Sequence, residues 1–125
     1  MTIQVGDAIP NINFQFREGD TRPEKGTCPA GGEFVTRSSH ELFSEKRVII
    51  FSLPGAFTPT CSTYQLPGFD EKFEVFKEQG IDEIYVVSVN DAFVMNAWAV
   101  DCKIKNIKTI PDGNAEFTTA MGMNV

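Results

Sequence analysis

The chain has 125 residues, 42% of them hydrophobic and 22% charged, with eleven phenylalanines and a formal charge of −6. This fits one folded domain over residues 1–125 with a real core, and the acidic balance argues against a nucleic-acid surface, which needs clustered Lys and Arg. The opening MTIQVGDAIPNINF lacks a basic segment followed by an apolar core, and no apolar run approaches the roughly 20 residues of a membrane helix, so the expectation is a soluble, cytoplasmic protein without a membrane partner.

In chain order, NINFQF (Asn11 to Phe16) and GEFVTR (Gly32 to Arg37) alternate as short strands do. The stretch between them, Arg17 to Gly31, is rich in Gly, Pro and charge and reads as an exposed loop. Ser38 or Ser39 opens a short helix, with Glu41 placed to complete its cap. RVIIFSL (Arg47 to Leu53) is apolar on both faces, the pattern of a strand in the middle of a covered parallel sheet. From Leu66 the period turns helical. Phe69, Phe73 and Phe76 form one stripe, Pro67 suits the helix start and Gly80 its end. A strand follows over Glu83 to Asn90, then a helix capped by Asn90 or Asp91, a strand over Ile107 to Asp112 and a last helix over AEFTTAMGM. This alternation predicts an α/β layered fold. Phe69, Phe73, Phe76 and Phe93 read as core, while Phe57 is placed to line a pocket or an interface.

The cysteines are Cys28, Cys61 and Cys102, an odd and sparse set without a C-x-x-C pair, and His40 is the single histidine. Neither a disulfide framework nor a four-ligand metal site is expected. What remains is thiol chemistry or inert buried thiols. Cys102 lies on the helix face of Val94 and Trp98, which favours packing over reactivity.

The informative stretch is PGAFTPTC, Pro54 to Cys61, at the end of an apolar strand and before a helix. In a parallel α/β sheet, function gathers at the carboxyl ends of strands beside helix N-termini. Unpaired N–H groups and about half a positive charge there stabilise an anion, so a cysteine becomes a thiolate near neutral pH. Thr58, three residues earlier, offers a hydroxyl to the sulfur and to an incoming oxygen, and Pro54 limits water and removes a competing donor.

With LPGF following, and with SVNDAFVMNAW and IPDGNAEF downstream, PGAFTPTCS resembles the P-x-x-x-T-x-x-C signature of peroxiredoxins, and most closely the peroxiredoxin 5 or type II subfamily. The resemblance covers most of Val5 to Val125. It implies a thioredoxin-like fold with a central mixed sheet flanked by helices, whose last strands lie beyond this chain. It also implies Cys61 as peroxidatic nucleophile, with Thr58 and Pro54 shaping the site. Substrates would be hydrogen peroxide and organic hydroperoxides, with no cofactor. Glutathione with glutaredoxin, or thioredoxin, would be the reductant, and a homodimer the assembly.

Three departures stand out. Gln65 replaces a histidine common in the family, no arginine lies beyond Arg47 where the family uses one on a later strand, and the long Arg17–Gly31 stretch carries Cys28 as a candidate resolving thiol. Cys102 is the weaker candidate for that role. The competing expectation is a truncated thioredoxin-like binding module with little peroxidase activity.

Overall fold

The computed structural model describes residues 2–21, 30–53, 55–58 and 66–123. The elements are β1 (Asn13–Thr21), β2 (Ala30–Ser38), α1 (Ser39–Phe43), β3 (Val48–Ser52), α2 (Leu66–Glu71), α3 (Phe73–Glu78), β4 (Glu83–Ser88), α4 (Ala92–Asp101), β5 (Lys108–Pro111) and α5 (Glu116–Ala120). Among the described residues, β1 and β2 form an antiparallel ribbon, and β3, β4 and β5 form a parallel sheet in that order.

β4 organises the interior. Its side chains alternate across the sheet, so Ile84 and Val86 enter one cluster with Leu53, Leu66, Phe73, Met95, Trp98 and Ile107. Tyr85 and Val87 enter the other, with Phe14, Ile110 and Phe117. Within this chain the strand with a partner on each side is β4 rather than the Arg47–Leu53 strand, among the described residues. β4 is central and fully buried after its first residue, whereas β3 is half-buried and pairs only with β4 among the described residues.

Two further expectations change. The ends of the supposed Arg17–Gly31 loop are ladder, since Asp20 pairs with Gly31 and Thr21 with Ala30. The misleading signal is a glycine pair. Gly19 and Gly32 face each other at φ +78° and +75°, and a Cβ on Gly19 would sit 3.5 Å from the Gly32 Cα. The helix from Leu66 to Gly80 is also broken into α2 and α3 at Lys72, although Phe69 still stacks on Phe51 at 4.1 Å and on Phe76 at 6.0 Å. Gly80 ends the helix at φ +93° as expected.

The caps follow the sequence closely. Ser38 accepts from the Glu41 N–H at 3.2 Å while the Glu41 carboxylate accepts from the Ser38 N–H at 3.3 Å, a reciprocal box. Asp91, not Asn90, caps α4 by accepting from the Val94 N–H at 2.9 Å. Phe93 is corrected from core to surface. Ala92, Met95 and Trp98 turn α4's apolar face inward, which leaves Phe93 about one-third exposed. Its ring meets Phe34 edge-on at 5.7 Å, with the Arg17 guanidinium 4.8 Å from each ring.

Tyr85 gives the fold an alkaline limit. Burial, with a smaller contribution from the charge of Glu83, raises its pKa above 10.0. The unfolded chain therefore loses this proton first, so the stabilisation is complete below the unfolded pKa and is lost as pH rises through the folded one. Urea midpoints measured from pH 8 upwards should fall above about pH 10, and Tyr85→Phe should flatten that fall.

Candidate active site

β3 delivers the chain to the carboxyl end of the sheet, where the Leu53 N–H still donates to the Val87 carbonyl at 3.4 Å. The described part of the next loop is Gly55–Thr58. Two polar ties hold it. The Ala56 N–H donates to Asn90 Oδ1 at 3.1 Å, and the Thr58 hydroxyl donates to the Gly55 carbonyl at 2.9 Å. The hydroxyl's one proton is thereby used, which leaves the Thr58 oxygen free to accept from an N–H or from the O–H of a small ligand. Between these ties, Phe57 adopts φ +63° with a half-exposed ring. A left-handed phenylalanine costs roughly 1–2 kcal/mol, so the loop keeps this shape because its neighbours are pinned.

Asn90 is the hub. Its Oδ1 also accepts from the buried Ser88 hydroxyl at 2.6 Å, and the Asn90 N–H donates to the Ser88 carbonyl at 2.8 Å. The same carbonyl accepts from the Asp112 N–H at 3.0 Å. The loop after β3 and the residues ending β4 and β5 are thus joined in one polar knot, at the end of the sheet where α/β proteins place their chemistry. Asp112 extends the knot by accepting from the Phe117 N–H at 3.1 Å and from the Thr118 N–H and hydroxyl at 2.8 and 2.7 Å.

Of the sequence-predicted site residues, Thr58 is placed in this loop, half-buried, beside the knot. Pro54, Cys61 and Gln65 lie outside the described residues, as does Cys28. Cys102 is described. It forms the C-cap of α4, donates its N–H to the Trp98 carbonyl at 2.9 Å, and packs half-buried against the cluster containing Trp98. Among the described residues no group of three His, Cys, Asp or Glu is arranged to hold a metal ion.

Sequence reasoning placed Asn90 as a candidate helix cap and missed its role as hub. The available signal was the polar pair Ser88 and Asn90 closing an otherwise apolar strand, which needs partners as soon as the strand ends.

Comparison with known proteins gives a consistent picture. A protein-family model described as Redoxin matches residues 4–125. The chain is 50% identical over 125 residues to the hybrid peroxiredoxin hyPrx5 of Haemophilus influenzae, an alignment covering all of this chain and 47% of that protein. It is 51% identical over 117 residues to a peroxiredoxin of Rhizobium etli, covering 94% of this chain and 64% of the other. It therefore spans about half to two-thirds of the length of these relatives. The crystal structure of reduced Prx3 from Vibrio vulnificus in complex with H2O2 superposes with a TM-score of 0.83 at 37% identity, covering 99% of this chain and 71% of that one. The fold is α/β and thioredoxin-like, with antiparallel and parallel sheets flanked by helices.

Removing the hub acceptor should loosen the loop. Asn90→Ala leaves the Ser88 hydroxyl and the Ala56 N–H without their partner, and urea unfolding should show a loss of roughly 1–3 kcal/mol with an unchanged slope. An unchanged midpoint would mean that other groups replace the acceptor.

Proposed function

We propose that this chain, which belongs to the redoxin family and within it to the peroxiredoxins, carries the peroxide-reducing centre of a thiol-dependent peroxidase. The observation that carries the reading is the position of the P-x-x-x-T-x-x-C motif. Its described part, Gly55–Thr58, follows β3 at the carboxyl end of the sheet, with Ala56 tied to Asn90 and Thr58 to the Gly55 carbonyl.

In this reading the Cys61 thiolate attacks the terminal oxygen of hydrogen peroxide or an organic hydroperoxide. A sulfur–oxygen bond forms as the oxygen–oxygen bond breaks. The departing oxygen takes a proton and leaves as water or alcohol, and Cys61 becomes a sulfenic acid. Thr58 orients the peroxide by accepting from its O–H, Pro54 screens the site, and the Cys61 N–H joins in stabilising the departing charge. A first thiol condenses with the sulfenic acid, releasing water and forming a mixed disulfide, and a second thiol restores the thiolate. The packed setting of Cys102 favours an external reductant, either glutathione with glutaredoxin or thioredoxin, over an internal disulfide with Cys102. Cys28 is the remaining internal alternative. The setting is cytoplasmic, and hydrogen peroxide, present in the Vibrio vulnificus structure, is the simplest substrate.

Stopped-flow oxidation by hydrogen peroxide tests this directly. The wild-type chain should react orders of magnitude faster than free cysteine, and Cys61→Ser should abolish the fast phase. Thr58→Val, which keeps the shape and removes the hydroxyl, should slow it about a hundredfold. A wild-type rate equal to that of free cysteine would leave only a thioredoxin-like binding module.

The assembly proposed is a homodimer through the rim of this site. Phe57, Val89, Phe93 and Phe34 are all exposed, at 51%, 45%, 36% and 53%. The Phe34–Phe93 ring contact makes one exposed apolar pair, and the Ala56–Asn90 bond holds together the loop and the strand end that carry Phe57 and Val89. Phe93→Glu should shift the sedimentation coefficient from dimer to monomer, and an unchanged dimer would move the interface elsewhere.

A further inference from the structure

We infer that Asp70 is a positioning residue for Cys61, an anchor that fixes the helix immediately after the cysteine-bearing segment; this rests on the peroxidase reading above. α2 has only six residues, too few for its own hydrogen bonds to hold it. Its apolar residues, the fully buried Leu66 and the Phe69 ring on Phe51, bring it onto the sheet. Such contacts are non-directional and leave the helix able to slide and turn.

Asp70 supplies the direction. Its Oδ1 accepts from three consecutive backbone N–H groups, those of Lys105 at 3.1 Å, Asn106 at 2.8 Å and Ile107 at 3.2 Å. Oδ2 lies 3.3 Å from the Lys105 nitrogen, and the Asn106 side-chain amide donates back to the Asp70 carbonyl at 3.4 Å. Three charge-assisted bonds converging on one oxygen fix both the axial position and the rotation of α2. The loop they come from leads into β5, and its last residue, Ile107, is buried in the same cluster as Leu66.

In the sequence, Cys61 falls between two polar anchors. Upstream the Ala56 N–H is tied to Asn90, and downstream Asp70 holds α2. A nucleophile must meet its peroxide within a fraction of an ångström and in line, whereas alkylation by a small reagent tolerates a wandering thiolate. Asp70 should therefore matter for the first reaction and little for the second. Asparagine keeps the Oδ1 acceptor that makes all three short bonds, whereas alanine removes it.

The experiment compares wild type, Asp70→Ala and Asp70→Asn at a temperature where circular dichroism shows each fully folded. It reads three quantities: oxidation of Cys61 by hydrogen peroxide, alkylation of Cys61 by iodoacetamide followed by peptide mass, and hydrogen exchange of the 105–107 amides. In Asp70→Ala the three amides should lose protection and peroxide oxidation should slow about ten- to a hundredfold, with alkylation unchanged or faster. Asp70→Asn should return the peroxide rate to within a few-fold of wild type. Three results overturn the assignment: wild-type oxidation in Asp70→Ala despite exposed amides, equal slowing of both reagents, or no rescue by asparagine. If the alanine chain does not fold, Asp70→Ser, which is too short to reach three N–H groups, takes its place under the same criteria. A wild type no faster than free cysteine defeats the peroxidase reading instead. The anchor is then decided by hydrogen exchange of the 105–107 amides, supported by a loss of protection in Asp70→Ala that asparagine reverses and overturned by wild-type protection.

Discussion

A strand buried on both faces must hand every backbone N–H and C=O to a neighbour, and β4 is that strand here, with Ile84 to Ser88 all buried. Parallel partners on either side meet the requirement, with Val48 opposite Glu83 on one edge and Lys108 opposite Tyr85 on the other. Because the three strands run the same way, their connections must cross back over the sheet; the crossing helices α2, α3 and α4 cover one face, and β1, α1 and α5 cover the other. The two core clusters are the outcome, divided by the alternation of β4 itself. The carboxyl ends of the strands then fall together, and the polar groups left there must find one another.

They do so through Asn90 and Ser88. The strand ladder stops at Ser88, yet the Ser88 hydroxyl and carbonyl and the Asn90 carboxamide continue the pairing with side-chain and turn bonds. One consequence is a rigid seat for the loop leaving β3, strong enough to keep Phe57 left-handed. Thr58 sits on this seat, two residues after the tied Ala56. The core and the site share one cause, since the strand that fills the interior also ends in the residues that hold the loop.

Much of this was legible in the sequence where the signal is local. The Ser38–Glu41 cap, the stop at Gly80, the Asp91 cap and the strands at β3, β4 and β5 all depend on residues within a few positions of each other. The motif could be read for the same reason, since Pro54, Thr58 and Cys61 lie within a few positions of one another. What could not be read depends on partners far apart. Phe93 looks like core by spacing, but whether it is buried depends on the Phe34 and Arg17 side chains of the ribbon. The middle of the sheet was assigned to β3 because its run is as apolar as that of β4, and only the pairing order decides between them. Asp70 gave no signal, because its partners are backbone N–H groups about 35 residues away.

The aspartates also explain why the acidic balance does not name a partner. Asp7 accepts from the Gln4 N–H, Asp82 from the Arg47 N–H and Asp91 from the Val94 N–H, while Asp70 and Asp112 each gather several donors. These carboxylates sit at turns, where a backbone N–H has no ladder or helix partner and an anion is the strongest acceptor available. Each closes a different join: the N-terminal turn, the entry to β3, the start of α4, the loop before β5 and the start of α5. A net charge of −6 is therefore in part an internal matter, the residue of a fold that secures its turns with aspartate. Ion pairs contribute little beside this, since among the described residues Arg37 with Glu18 at 3.1 Å and Lys108 with Glu83 at 3.0 Å are surface pairs. Placing an anion where the backbone turns lets a chain of brief helices hold its loops in register, the turn that enters β3 among them.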